Sequence, residues 1–221
     1  MLSLIAWSSG KDSAWALHVA RAAGVKVVGA LTTITDEFAR VSMHAVREEL
    51  LDAQVAAAGL ESWKVRIPWP CPNEAYEARM ADAIARARSA GITHIIFGDL
   101  FLEDIRAYRV KQLAGTGIEP LFPVWGRDTR ELAREMIANG VRAHLTCVDP
   151  RVMPRELAGL RLDEVIDRLP EGVDPCGENG EFHTFVSAGP MLSHEVAVTR
   201  GDVVERDGFV FADLVCAPCD G

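Results

Sequence analysis

Apolar positions along this chain fall into short continuous runs, separated by stretches in which they recur at helical spacing. Residues 2–7 form an apolar run of strand length, which reads as a buried strand. Residues 14–20 follow as a helix, with Gly24 placed as its C-cap. Residues 25–34 alternate as a second strand, and 35–40 form a polar loop. Ser42 is placed to cap a helix from Met43 to about Ala58, with Met43, Val46, Leu50 and Ala57 on one face. Residues 63–69 read as a third strand, ended by Pro68 and Pro70. Asn73 opens a long helix to Ala90, with Tyr76, Met80, Ala83, Ile84 and Ala87 at helical spacing. Residues 94–97 form a fourth strand closed by Gly98-Asp99, and a helix is expected over 103–113. A fifth strand spans 120–125. Asp128 and Glu131 make a capping-box-like start to a helix ending near Asn139. A sixth strand spans 144–148. Apolar strands alternating with helices predict a Rossmann-like α/β fold: a parallel sheet with helices on both faces.

Beyond Asp149-Pro150 the texture changes. A helix is expected over 162–169, then a loop rich in Gly, Pro and acidic residues. Residues 195–216 alternate, with turns expected at Gly201-Asp202 and Asp207-Gly208, and read as antiparallel strands. The predicted organisation is a domain over 1–135 and a smaller α+β subdomain over 136–221. No flexible linker separates them, so the two are expected to pack together.

Composition narrows the class. With 221 residues, 49% hydrophobic and 25% charged, the chain can bury a real core. A net charge of −9 and a pI near 5.2 argue against a broad nucleic-acid surface, which needs a basic face. No apolar run approaches the roughly 18 residues of a membrane span, and the N-terminal run lacks the flanks of a signal peptide. The five cysteines are an odd number and scattered, which fits reduced thiols in the cytoplasm better than a disulfide framework. Cys216 and Cys219 have a spacing that suits zinc or redox chemistry, but no second such pair accompanies them. A homodimer is a common state for an α/β protein of this size.

The chemistry concentrates first in Ser8-Ser9-Gly10-Lys11-Asp12-Ser13. A strand, a small polar turn and a helix together make an anion site: unpaired N–H groups and the positive end of the helix dipole converge there. Gly10 permits close backbone approach, Lys11 adds a point charge and the serines add hydroxyls. This is a phosphate cradle, and it is not the Walker loop, because Ile5 stands where that motif requires Gly. In an open α/β sheet, a ligand sits where the strand order reverses. If the first strand is central, Gly98 and Asp99 stand beside this loop. Asp99 there either holds Mg²⁺ or a ribose, or caps the next helix. Arg106 and Arg109 either clamp phosphate or carboxylate, or pair with Glu103 and Asp104 at the surface. A third stretch, residues 174–185, places glycines on both sides of Glu178-Asn179. Extended chain from Glu181 onward puts Glu181, His183 and Phe185 on one face, where a Glu and a His together bind substrate or move protons. A polar hairpin lip is the plainer reading of the same residues. His44, at a helix start near the expected nucleotide side, reads as solvent-exposed, with substrate contact as the alternative.

Ser8–Ser13 resembles the SGGKDS pyrophosphate loop of the ATP pyrophosphatases, with Ser9 where that family usually has Gly. Residues 176–186, CGENGEFHTFV, resemble the GE-x-GE-[FY]-x-[ST] signature of the diphthine–ammonia ligase branch. Residues 97–108 and 120–125 also match that branch, in the form seen in small bacterial relatives. The resemblance implies an adenine nucleotide α-hydrolase fold, ATP and Mg²⁺. It also implies adenylation of a carboxylate, release of pyrophosphate and amidation by ammonia; in the family the acceptor is a modified histidine of elongation factor 2. On that basis Lys11, Glu178, Glu181 and His183 are the expected catalytic residues. Ser8, Ser9, Gly10, Lys11, Asp12, Ser13, Gly98 and Asp99 would bind the nucleotide, and Asp12 and Asp99 the metal. Asp104, Arg106, Asn179 and Thr184 would contact the acceptor, which the sequence does not name. Two rival readings are a tRNA-thiolating enzyme of the same superfamily, which the acidic charge disfavours, and a non-catalytic nucleotide sensor.

Overall fold

The computed structural model describes residues 1–41 and 44–217. The first part runs β1 (Leu2–Ala6), α1 (Lys11–Ala22), β2 (Lys26–Thr35), β3 (Arg40–Val41), α2 (Glu48–Ala57), β4 (Glu61–Ile67), α3 (Asn73–Ser89), β5 (His94–Ile96), α4 (Glu103–Leu113), β6 (Glu119–Leu121) and α5 (Thr129–Ala138). The second runs β7 (Arg142–Val148), α6 (Leu162–Val165), β8 (Phe182–Ala188), β9 (Val198–Arg206) and β10 (Phe209–Cys216).

Two sheets result. The first has six strands along β3-β2-β1-β5-β6, with β4 also on β2, and all pairings except β2–β3 are parallel. β1 is therefore central, with β2 on one side and β5 on the other, and the strand order reverses around it. The crevice beyond its carboxyl end is where such a sheet receives a ligand. The second sheet is antiparallel, in the order β8-β7-β10-β9.

Alternation along β1 sends neighbouring side chains to opposite faces. Leu4 joins Leu31, Trp63 and Ile95 under Ile84 and Ala87 of α3 and Leu113 of α4. Ile5 joins Trp15 and Leu17 of α1, Leu50 and Leu51 of α2, and Leu145, Phe185 and Val210 of the second sheet. One core thus runs from the first sheet's underside into the second sheet.

Several expectations need correction. The strand at 144–148 belongs to the antiparallel sheet, as β7, because its partners are β8 and β10. α2 starts at Glu48, not Met43; Ser42 and Met43 lie outside the described residues. Residues 44–47 instead loop back, with Ala45 at φ 55°. Gly201-Asp202 is not a turn: β9 runs through it, and a register shift opposite, between Ala212 and Leu214, absorbs the irregularity. The turn forms only at Asp207-Gly208, where both residues have positive φ, 52° and 81°, as a tight hairpin requires. Cys219 lies outside the described residues; Cys71, Cys147, Cys176 and Cys216 are free thiols. Among the described residues, no helix is long and apolar enough to cross a membrane.

Candidate active site

The turn between β1 and α1 sits at the switch point. Gly10 is the residue before the helix. Ser8 Oγ accepts a hydrogen bond from Gly10 N (3.3 Å) and lies 3.2 Å from Ser13 Oγ, which donates to the Gly10 carbonyl (3.0 Å). Ser9 has φ 69°, the left-handed region that Gly occupies without strain. The Ser-for-Gly departure therefore falls where a side chain is least tolerated. The Ser9 hydroxyl is buried without a hydrogen-bond partner.

The second sheet fastens this turn. Val186 N donates to the Ser9 carbonyl (3.0 Å), and Lys11 N donates to Thr184 Oγ1 (3.1 Å). Gln54 of α2 is fully buried. Its Oε1 accepts from Trp7 Nε1 (2.7 Å), and its Nε2 donates to the carbonyls of Ser9 (3.0 Å) and Val186 (2.6 Å). No motif pointed to Gln54; a buried Gln in an apolar helix face was the available signal.

Lys11 is not a mobile charge. It is 2% exposed, and its Nζ donates to Asp12 Oδ2 (2.9 Å) and to the Cys176 carbonyl. Burial alone would lower its proton affinity, but the Asp12 carboxylate more than offsets that, so the ammonium is held above its ordinary value. Gly98 packs directly on the start of α1: a Cβ there would lie 2.7 Å from the Asp12 carbonyl carbon and 2.8 Å from Ser13 N.

A cleft of about 570 Å³ opens over the turn. Ser8, Lys11, Asp12, Ser13, Gly98, Asp99, Glu178, His183 and Thr184 all line it. Its other end is apolar, walled by Leu31, Ile67, Tyr76, Met80, Ile105 and Tyr108. Glu178 Oε1 accepts from Leu100 N (2.7 Å). Burial pushes the Glu178 carboxyl up to about 7, with Leu100 N–H opposing and the Asp12 charge adding. Burial also raises Asp99, against the pull of Arg109, whose Nε is 3.6 Å away. Among the described residues, Asp12 Oδ1 is buried without a hydrogen-bond partner, and buried Asp99 Oδ2 has only its ion pair with Arg109.

Other expected site residues lie elsewhere. Glu181 does not project with His183. Its carboxylate turns back into its own loop, accepting from Asp174 N, Asn179 N and Asn179 Nδ2, each at 3.0 Å. Glu181 and Asn179 line a separate depression with Asp149 and Glu171. Asp104 is exposed on α4. Arg106 stacks over Phe122 and Trp125, at 5.3 and 4.6 Å, rather than pairing with Glu103 or Asp104. His44 is in the site rather than exposed, the lesser of its two expected places: it lines the cleft, and its Nδ1 is 3.0 Å from the Thr184 carbonyl.

A parallel sheet with this strand–turn–helix grip at its switch point, joined to a smaller antiparallel sheet, is the architecture of the adenine nucleotide α-hydrolases. Residues 128–211 match the family model described as the diphthamide synthase C-terminal domain. The chain is similar to the human diphthine–ammonia ligase, 30% identical over 120 residues, which are 51% of this chain and 45% of that protein. It is 31% identical over 120 residues to the diphthine–ammonia ligase of Danio rerio (51% and 47%), and 31% over 95 residues to that of Schizosaccharomyces pombe (41% and 16%). The chain spans about half the length, or less, of the curated relatives it matches. These similarities point to the diphthine–ammonia ligase-related proteins among the PP-loop ATP pyrophosphatases.

Proposed function

We propose that this protein is an ATP-dependent ligase that adenylates a carboxylate, releases pyrophosphate and forms an amide with ammonia. The observation that carries this reading is the convergence of Lys11 and Glu178 on one cleft. The turn at 8–13 grips the pyrophosphate end of ATP through its N–H groups, with Lys11 as counter-charge. The acceptor carboxylate bonds to the α-phosphorus, and the bond to the bridging oxygen of the β-phosphate breaks, releasing pyrophosphate. The ammonia nitrogen then bonds to the acyl carbon, the carbon–oxygen bond to AMP breaks, and the nitrogen gives up a proton. Glu178, with proton affinity near neutrality, is placed to take it. Residues 136–221 supply the acceptor side of the cleft.

Among the described residues, no group of three or more His, Cys, Asp or Glu side chains is disposed to hold a metal on its own. Mg²⁺ does not need one: with nucleotides it uses one or two carboxylates, phosphate oxygens and water. The buried Asp12 and Asp99 oxygens that accept no hydrogen bond fit that role, and the ion would neutralise charge on the phosphates. Glu181 shapes the 174–181 loop that carries Glu178, a structural part in place of the catalytic one first assigned. Asp104, Arg106 and Asn179 reach the acceptor only if it extends beyond the cleft.

Lys11→Ala should abolish pyrophosphate release from ATP in the presence of candidate carboxylic acids and ammonium, with the far-ultraviolet dichroism unchanged. Unchanged release from a folded variant would overturn the scheme. ATP binding by the parent protein without turnover on any acid would favour the sensor reading.

A further inference from the structure

His44 is held in a way that solvent exposure would not produce. Its Nδ1 faces the Thr184 carbonyl at 3.0 Å. A carbonyl only accepts, so Nδ1 carries the hydrogen and Nε2 is left with a lone pair. Among the described residues, Nε2 has no hydrogen-bond partner, and the ring lines the cleft. The His183 ring lies 4.7 Å from it, centre to centre, and among the described residues neither of its nitrogens has a hydrogen-bond partner. The pair stands directly over the phosphate turn: a methyl group on Gly10 would come within 2.7 Å of His44 Cε1.

The loop bearing His44 is fixed from outside. Asp213 of β10 accepts from Arg40 Nη1 (2.9 Å) and from Arg47 Nε and Nη2 (3.1 and 2.6 Å). Arg40 also donates to the Ala45 carbonyl (2.6 Å). This clasp ties Arg40 and Arg47, which flank His44 in the chain, to one carboxylate.

We propose that His44 and His183 form the seat of the nitrogen nucleophile, a small neutral amine or ammonia itself. This rests on the ligase reading above. Two bare ring nitrogens hold such a molecule by its N–H bonds and leave its lone pair uncommitted for attack on the acyl carbon. A protonated side chain would consume that lone pair. Burial, with Lys11 nearby, keeps both rings neutral: His44 is lowered to about 4 and His183 to about 3, the latter also by His44. Lys11, a cation that acts on both rings, disfavours a second one and selects the uncharged amine.

The test is nitrogen NMR of the full chain labelled with ¹⁵N-histidine, assigned with His44→Asn and His183→Asn. At pH 7, His44 should show a protonated Nδ1 and an unprotonated Nε2; the opposite tautomer overturns the proposal. At pH 8.5, ammonium chloride should shift the His44 Nε2 resonance and that of the unprotonated His183 nitrogen saturably, while sodium chloride at the same ionic strength should not. No shift, or the same shift with both salts, also overturns it. ATP affinity, measured separately on the parent chain by calorimetry, tests the nucleotide reading, so the two fail independently.

Discussion

Ser9 shows how one residue can carry strain at a functional turn. A non-glycine residue with φ 69° and a buried, unpartnered hydroxyl pays a backbone cost of order 1–2 kcal/mol. Glycine removes both problems, although its looser unfolded state gives part of the gain back. Ser9→Gly should therefore stabilise the protein by about 1 kcal/mol, measured by urea denaturation. Destabilisation would mean that the hydroxyl has a partner in solution. Glu178 gives a pH-dependent counterpart. Its folded proton affinity, about 7 against 4.5, means that the folded state favours the protonated form. That favour is fully present below pH 4.5 and is lost as pH rises through 7. Glu178→Gln keeps an acceptor for Leu100 N–H and never ionises. It should be more stable than the parent at pH 8 by about 1–2 kcal/mol, after discounting for partial exposure, and equal to it near pH 4.5. On the proposed ligase reading, the amide-forming rate should rise with pH through 7 as Glu178 ionises; a flat profile would remove it from proton transfer.

At the scale of elements, the strand–turn–helix at 2–22 was legible because its signals are local: an apolar run, a Gly-containing turn, a helical period. So were α4 and the Asp128 cap, which accepts from Glu131 N at 2.9 Å. The path of residues 44–47 was not. It depends on Asp213, far along the chain, and no local pattern announces a partner at that distance. Glu181 misled for the opposite reason: period-2 reasoning assumes strand geometry, but the strand begins at Phe182, and the Glu181 carboxylate answers N–H groups in the preceding loop. Asp213→Ala would leave Arg40 and Arg47 without their shared partner. We expect a loss of about 1–2 kcal/mol, faster amide exchange at 44–47, and a His44 proton affinity rising from about 4 toward 6.5. An unmoved His44 titration would show that Thr184 and Gly10 hold the ring alone.

Across the whole molecule, the two sheets share one core and one buried amide. Gln54 ties Trp7 and Ser9 of the first part to Val186 of the second. Its replacement by Leu leaves a buried indole N–H without an acceptor, at a cost of about 1–3 kcal/mol. Because the core is continuous, Gln54→Leu should lower a single melting transition, with tryptophan fluorescence and far-ultraviolet dichroism coincident. Two separate transitions would mean that the sheets fold independently. The sequence pattern led to two parts packed together; that they meet at the phosphate turn itself depended on hydrogen bonds between residues about 175 apart in the chain, such as Lys11 N to Thr184 Oγ1.

That fastening has an outcome for biosynthesis. Chains emerge from the ribosome N-terminus first, so residues 8–13 appear early, while Cys176, Thr184 and Val186, which pin them, are translated near the end. A nascent chain stalled before residue 176 would carry the turn at 8–13 without the residues that pin it.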